Sequence, residues 1–565
     1  MRAATGRSAV ASPAGVPARP DARPPAPGAG DPAGWSPARR WWLTRRKLLI
    51  LLPLDLALAV WYFSWLLQPG RAGNPILYGL LLVAELFNLA QAAGFWWTAC
   101  RAGSPPEPPP AGDADVDVLI PVYNEPWEVV EPTVRAATRL RHRGAVRVIL
   151  CDDGDRDEMA ALAARHGAGY LRRAEHHGAK AGNLNHALGR TGSPLVAVFD
   201  CDHVPDPAFL ERTVGHFRDQ DVALVQTPQY YANAGSNPVA DAAWSQQSLF
   251  FGIIARGKAA MGSMFCCGTN VVFRRAALDS IGGIPEDSVT EDFALSIDLR
   301  EQDWRTVYVP EVLARGLGPE DMASYVSQQH RWARGCLSGI SRTLRSRLRP
   351  GEKLQYLLSS MFFLTGWTYL IYMALPVVRL TGGEQALAGA TASQFLAHFA
   401  PYFAVSMLSV AVAGQGSYSF GAFALMEAGF WIHLSATVST LTGRRKGFVV
   451  TPKRGRSGRQ PQVVLPGLIA LAVLCAAAGY GLSAGLTPST LNNIAFAGLH
   501  ICVLLVGIWP ALAGVAGERA DVVDLRLTGP DGRPEPVGWG AGDPGPAPAG
   551  RHRPVPQGAL ARARN

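Results

Sequence analysis

Two carboxylates one residue apart, Asp200 and Asp202, close the apolar run at 195–199. That run reads as a short buried strand. On a strand, side chains at i and i+2 share a face. A divalent cation takes hard oxygen ligands, and a diphosphate needs its charge neutralised. Open α/β sheets bind ligands at the carboxyl edge of their strands. The spacing therefore predicts a metal and diphosphate site at Asp200 and Asp202, with a solvated acidic turn as the ordinary alternative.

Four more groups share this segment. Cys151-Asp152-Asp153-Gly154 again puts acids at the end of an apolar strand. It suits contacts to a base or ribose, unless it is only an Asx turn. Thr290-Glu291-Asp292 precedes an apolar helix-like stretch, where acids also complement a helix dipole. Gln328, Gln329, His330, Arg331 and Trp332 offer hydrogen bonds and a flat aromatic face for a sugar ring. Lys180, in AKAGNLNHAL, is a cation within reach of a diphosphate, or an ordinary surface lysine.

The elements that must position these groups alternate in kind. DVLIPVY reads as a strand, the stretch after Pro126 as a helix, and VRVILCDDG as a strand. An Ala-rich helix follows near Met159, and the next clear strand runs into Asp200. This repetition predicts a mainly parallel α/β sheet with right-handed crossovers.

The remaining composition points to a membrane. Hydrophobic residues make up 48% of the 565 and charged residues 17%, a low charged share for a soluble protein. The apolar excess lies in long runs near the start and in the last two-fifths. The net charge of +9 gathers beside those runs and at the two ends, a pattern of basic cytoplasmic flanks. No nucleic-acid motif is present. The eight cysteines form no CxxC pair, so no zinc site is expected, nor structural disulfides.

Residues 1–38 are Pro/Ala-rich and basic, and are expected to be disordered. Thr44-Arg45-Arg46 faintly resembles a twin-arginine export signal, but a run long enough to span and a second run behind it predict anchoring helices. The organisation expected is two spans in 39–100, a cytoplasmic α/β domain in 101–350, two spans in 351–416, an interfacial helix and loop in 417–460, two spans in 461–516, and a disordered tail in 517–565. Placing 420–441 along the interface keeps the basic loop GRRKGFVVTPKRGRSGR inside. That gives six spans with the catalytic domain and both termini cytoplasmic. Asp55 and Glu85 fall within spans, and helix–helix hydrogen bonds are the reading preferred over a functional one.

In this order, Asp-Asp-Gly, Asp-x-Asp, Thr-Glu-Asp and Gln-x-x-Arg-Trp resemble the processive family 2 glycosyltransferases, above all the bacterial cellulose synthase catalytic subunit. The resemblance covers roughly residues 40–515. PVYNE at 121–125, KAGNLN at 180–185, QTPQ at 226–229, FCCGT at 265–269 and FVVTPK at 448–453 also match. There are departures. The family often has His two residues before the KAGN lysine, where Gly178 stands here, with His177 one place earlier. Fewer N-terminal spans appear than in the best-known member. The Arg-x-x-x-Arg and Asp-x-Ser-x-x-Gly signatures of a PilZ domain are missing, so no fused PilZ domain is expected.

The resemblance implies a GT-A domain inserted between transmembrane helices, and a role for each group. Asp152, Asp153, Lys180 and Asp200 would bind a UDP-sugar, and Asp200 and Asp202 would hold Mg²⁺ or Mn²⁺. Asp292 would be the general base. Cys267, Gln328, Arg331 and Trp332 would line the acceptor site, with Phe448, Thr451 and Lys453 on a gating loop. The implied activity is processive, inverting polymerisation of a UDP-sugar, UDP-glucose first, into a β-linked glycan exported across the plasma membrane. Its first choice is β-1,4-glucan. Other β-glycans (β-1,3 or mixed-linkage glucan, an N-acetylglucosamine polymer) and transfer of one sugar to a lipid are the alternatives. The growing glycan, membrane lipid and accessory export or cell-wall proteins are the partners it allows, and no nucleic acid.

Overall fold

A computed structural model describes residues 38–103, 109–443 and 458–514. Six helices are long and apolar enough to cross a membrane among these residues: Leu43–Leu66, Pro75–Arg101, Pro350–Gly382, Ala392–Ala413, Pro461–Ala484 and Pro488–Ala513. Two precede the α/β domain and four follow it, as the hydropathy predicts.

The main sheet uses β1 (Val116–Val122), β2 (Val146–Asp152), β3 (Gly169–Arg172), β4 (Leu195–Val198), β6 (Val222–Gln226), β8 (Val271–Arg274) and β9 (Arg305–Tyr308). Their order is β3-β2-β1-β4-β8-β6-β9. Strands β3, β2, β1 and β4 run parallel, whereas β8 is antiparallel to both β4 and β6. The sheet is mixed and mainly parallel, as expected of a GT-A-type domain. A small sheet joins β5 (Val204–Pro205), β10 (Ala314–Gly316) and β7 (Tyr230–Tyr231) beside the catalytic edge.

Both faces of the main sheet are covered, which explains why its strands read as continuous apolar runs. Along β1, Val118 and Ile120 pack into one core with Val148, Leu150 and Phe199. Leu119 points the other way, against Ile149, Val196, Val198, Leu184 and Leu295. The period of two thus locks the register that brings the carboxyl ends of β1, β2 and β4 together.

Residues 420–441 form two helices, Phe420–Ala428 and Phe430–Leu441, broken at Gly429. Their 9 and 12 residues are each too short to span a bilayer. The second packs on the helix Met322–Arg345, with Ala436 among Ala333, Leu337 and Phe363. Asp55 accepts hydrogen bonds from Trp96 Nε1 (3.1 Å) and Ser406 Oγ (2.7 Å). It ties three spans together, as the helix–helix reading holds. All eight cysteines are free.

Candidate active site

The end of β2 is closed upon itself. Asp152 is fully buried. Its Oδ1 accepts from Gly154 N at 2.9 Å; its Oδ2 accepts from Arg156 N at 2.8 Å and Tyr170 Oη at 2.9 Å. A Cβ on Gly154 would fall 2.1 Å from the Tyr123 carbonyl, so the Gly of Asp-Asp-Gly is set by the close passage of the chain leaving β1. Asp153 pairs with the Arg173 guanidinium, Nη2 to Oδ2 at 2.7 Å, and lies 3.1 Å from His176 Nδ1. Burial opposes its ionisation, but Arg173 and His176 outweigh it and hold its carboxyl below the usual range. Arg173 also donates to the carbonyls of His177 (2.6 Å) and Ala179 (3.0 Å). One ion pair therefore clasps the Asp-Asp-Gly turn to the helix Ala179–Leu188 that carries Lys180. The histidine that serves here is His176, and sequence reasoning missed both it and Arg173.

Asp200 and Asp202 do not lie on the strand. Strand β4 ends at Val198, and the chain then turns, with His203 N donating to the Asp200 carbonyl at 2.9 Å. The i, i+2 argument put the two acids on a pleat; a tight turn brings them together instead. Lys180 Nζ pairs with Asp200 and donates to the Gly268 carbonyl at 2.9 Å. Burial lowers the pKa of this amine, but Asp200, Glu291 and Asp292 around it raise it on balance.

Ligand atoms of Asp200, Asp202 and His203 lie within 4.8 Å of one another. Two carboxylates in a turn fit Mg²⁺ or Mn²⁺. The imidazole has contacts of its own. Asn270 Nδ2, oriented by its bond to the Pro228 carbonyl, lies 3.1 Å from His203 Nδ1. A Cβ on Gly316 would sit 2.3 Å from His203 Nε2. His203 is thus packed between Asn270 and Gly316 while its ring remains in the group with the two carboxylates.

Asp292 stands in the first turn of the helix Glu291–Glu301. Its Oδ1 accepts from Phe293 N at 2.8 Å. Burial, then the adjacent Glu291, push its pKa up to about 7, against the pull of Lys180 and Arg331. A carboxylate so poised can take a proton near neutrality. Gly268, at φ +82°, runs beside it, and a Cβ there would come 3.1 Å from Asp292 Oδ2 and 3.7 Å from Lys180 Nζ. The FCCGT loop is fixed by Gln226, whose Oε1 accepts from Cys267 N at 2.8 Å and whose Nε2 donates to Thr269 O at 2.8 Å. Gln229 Nε2 donates to Cys267 O at 2.7 Å.

A cavity of about 1380 Å³ opens from this point. Asp292, Thr290, Cys267, Gln229, Gln329 and Trp332 line its catalytic end. It continues between the spans, past Asp55, Glu85 and Phe395, to Gln385 in the loop after the third span and Ser489 at the start of the sixth. Gln328 and Arg331 share the helix that bears Trp332 but do not line the cavity, and Arg331 acts on Asp292 by charge. Gln329, assigned to a variable place from sequence, is the glutamine in the cavity wall; Gln328 at i, i+4 and Gln329 at i, i+3 both neighbour Trp332, so spacing alone could not choose between them. Phe448, Thr451 and Lys453 lie outside the described residues.

Residues 195–413 match the family model described as glycosyl transferase family group 2. The chain is 33% identical over 453 residues to putative cellulose synthase 2 of Komagataeibacter xylinus, covering 76% of this chain and 29% of that protein. It is 30% identical to the cellulose synthase catalytic subunit [UDP-forming] of Pseudomonas fluorescens (strain SBW25), covering 78% of this chain and 62% of that protein. Among solved structures, a mannosyltransferase, PcManGT from Pyrobaculum calidifontis, aligns with a TM-score of 0.49 and 18% identity over 65% of this chain and 100% of that one. The site thus lies in a chain that carries a glycosyltransferase group 2 domain. More narrowly, the chain is a relative of the bacterial cellulose synthase catalytic subunits, and it spans less than two thirds of the length of those relatives.

Proposed function

We propose that this chain is a processive inverting glycosyltransferase of the plasma membrane. It polymerises a UDP-sugar, UDP-glucose first, into a β-linked glycan, β-1,4-glucan first, and passes the product through its own helices. The observation that carries this reading is the single cavity running from Asp292 to the far ends of the spans. An enzyme adding one sugar to a lipid would need no such passage.

In this reading the clasped Asp152 and Asp153 turn holds the uridine. Asp152 acts through the loop it shapes, since its oxygens are engaged by that loop. Lys180 and Arg331 meet the diphosphate. Mg²⁺ or Mn²⁺ held by Asp200 and Asp202 would supply Lewis-acid stabilisation of the leaving UDP. The acceptor hydroxyl oxygen bonds to the anomeric carbon, the bond to UDP breaks, and the hydroxyl proton passes to Asp292. One displacement turns an α-linked donor into a β-linked product. Trp332 supports the acceptor ring, with Cys267, Gln329 and Gln328 around it. The segment with Phe448, Thr451 and Lys453 closes over the loaded donor and excludes water. The catalytic domain faces the cytoplasm, where the basic flanks place it.

Purified protein given labelled UDP-glucose tests the reading by product size. Long polymer supports it; labelled lipid alone, or no product, would refute it.

A further inference from the structure

One buried cation in the cavity wall has no part in the chemistry above. Lys258 lies in the short helix Ala255–Ala260 and is 3% exposed. Its Nζ donates to the Gln355 carbonyl at 2.8 Å and to Gln355 Oε1 at 3.1 Å. Gln355 Nε2 in turn donates to Thr98 Oγ1 at 3.1 Å. Three elements meet here: the helix of Lys258, the end of the second span, and the start of the third. Among the described residues no carboxylate pairs with Lys258. Burial alone takes its pKa down to about 7. An amine in this position costs more than an apolar side chain of the same length would, if its task were only to join helices.

All three residues also line the cavity, together with Phe265, Cys267, Cys336 and Asp292. Beyond them the wall continues along one helical stripe, Leu358, Ser359, Phe362 and Phe363. An ammonium has three donors, and Gln355 takes two. Lys258 itself stands in the cavity wall between the catalytic carboxylate and the membrane helices.

We propose that Lys258, Gln355 and Thr98 form a hydroxyl-binding station for the polymer, engaging a neutral hexosyl unit as it leaves the acceptor position. The inference rests on the polymerase reading. The station holds the nascent chain between additions, so that it stays bound after each transfer.

The test is calorimetric binding of a β-1,4-linked glucose pentasaccharide to the full-length protein in detergent with UDP present. Losing one hydrogen bond to a charged group predicts a rise in the pentasaccharide Kd of roughly 10-fold in Lys258→Met. UDP affinity should stay within about twofold of wild type, and Lys258→Arg should recover most of the loss. Unchanged pentasaccharide binding in Lys258→Met would overturn the station. Equal loss of UDP and pentasaccharide binding would also overturn it, since that is how a purely structural clamp behaves. Should Lys258→Met fail to fold, Thr98→Val decides: weaker pentasaccharide binding with normal UDP binding supports the station, and no change refutes it. A wild-type protein that binds UDP but not the pentasaccharide would instead refute the polymerase reading beneath.

Discussion

The two sides of the active site are built on opposite principles. On the donor side, charges are paired: Asp153 with Arg173 and His176, Asp152 with three donors, Lys180 with Asp200. On the acceptor side, buried charges are left with little compensation. Asp292 is pushed up to about 7 by burial and a like charge, and Lys258 down to about 7 by burial. Paired charges fix geometry, and breaking one pair strands its partner. Poorly compensated charges sit near their titration points, where they exchange protons or bonds with a substrate. The donor side is thus a preformed mould, and the acceptor side is where chemistry and chain movement take place.

The largest expected effect comes from removing the poised group. Asp292→Asn should lower polymer synthesis by ~10²–10⁴-fold while UDP binding stays near wild type. The pH dependence has a definite sign. The base must be ionised, so wild-type activity should rise as pH passes upward through about 7. Its raised pKa also means that ionised Asp292 weakens the fold above that pH, so Asp292→Asn should melt no lower than wild type at alkaline pH. A variant that melts early there would contradict the poised-base account.

Asp202→Ala probes the mould itself. It should abolish the metal dependence of UDP binding, read by calorimetry with and without Mg²⁺ or Mn²⁺, and activity with it. Unchanged metal dependence would move the cation elsewhere.

Breaking the clasp with Asp153→Ala should destabilise the protein by ~3–5 kcal/mol, because it leaves Arg173 buried without its carboxylate. The pair's contribution is present at neutral pH and should fade as pH falls below the ordinary carboxylate range, through the depressed pKa of Asp153. Thermal melts across the acid range read both.

The smallest expected effect is at Trp332. Replacing it with Leu keeps apolar bulk but removes the ring face, and should weaken acceptor binding by about 2- to 10-fold, the worth of an aromatic contact. Donor KM should stay unchanged. A change in donor KM instead would erase the distinction between the two sides.

Much of this was legible in the sequence because it is local. Apolar runs of spanning length gave the six helices, and the basic loop behind 420–441 gave the reading of that stretch as interfacial, while its break at Gly429 had no part in it. The acids of 152–153, 200–202 and 291–292 stand at element ends, where short polar side chains interrupt apolar runs. The rest depends on contacts between distant segments. Nothing near Arg173 or His176 reveals Asp153 as their partner, and nothing near Lys258 points to Gln355, 97 residues away. The antiparallel β8 in a mainly parallel sheet has no local mark, since both senses bury the same residues. Which glutamine of Gln328 and Gln329 faces the cavity depends on how the helix Met322–Arg345 is rotated by packing on Phe430–Leu441.

The account's central claim is that one chain both extends a glycan at Asp292 and carries it along the cavity. Purified full-length protein in sealed vesicles, catalytic domain outward, with labelled UDP-glucose outside, tests both parts at once. The account predicts long polymer that enters the vesicle and resists glycanase added outside, and none from Asp292→Asn. Polymer that remains wholly digestible from outside, or a product of single sugars on lipid, would contradict it.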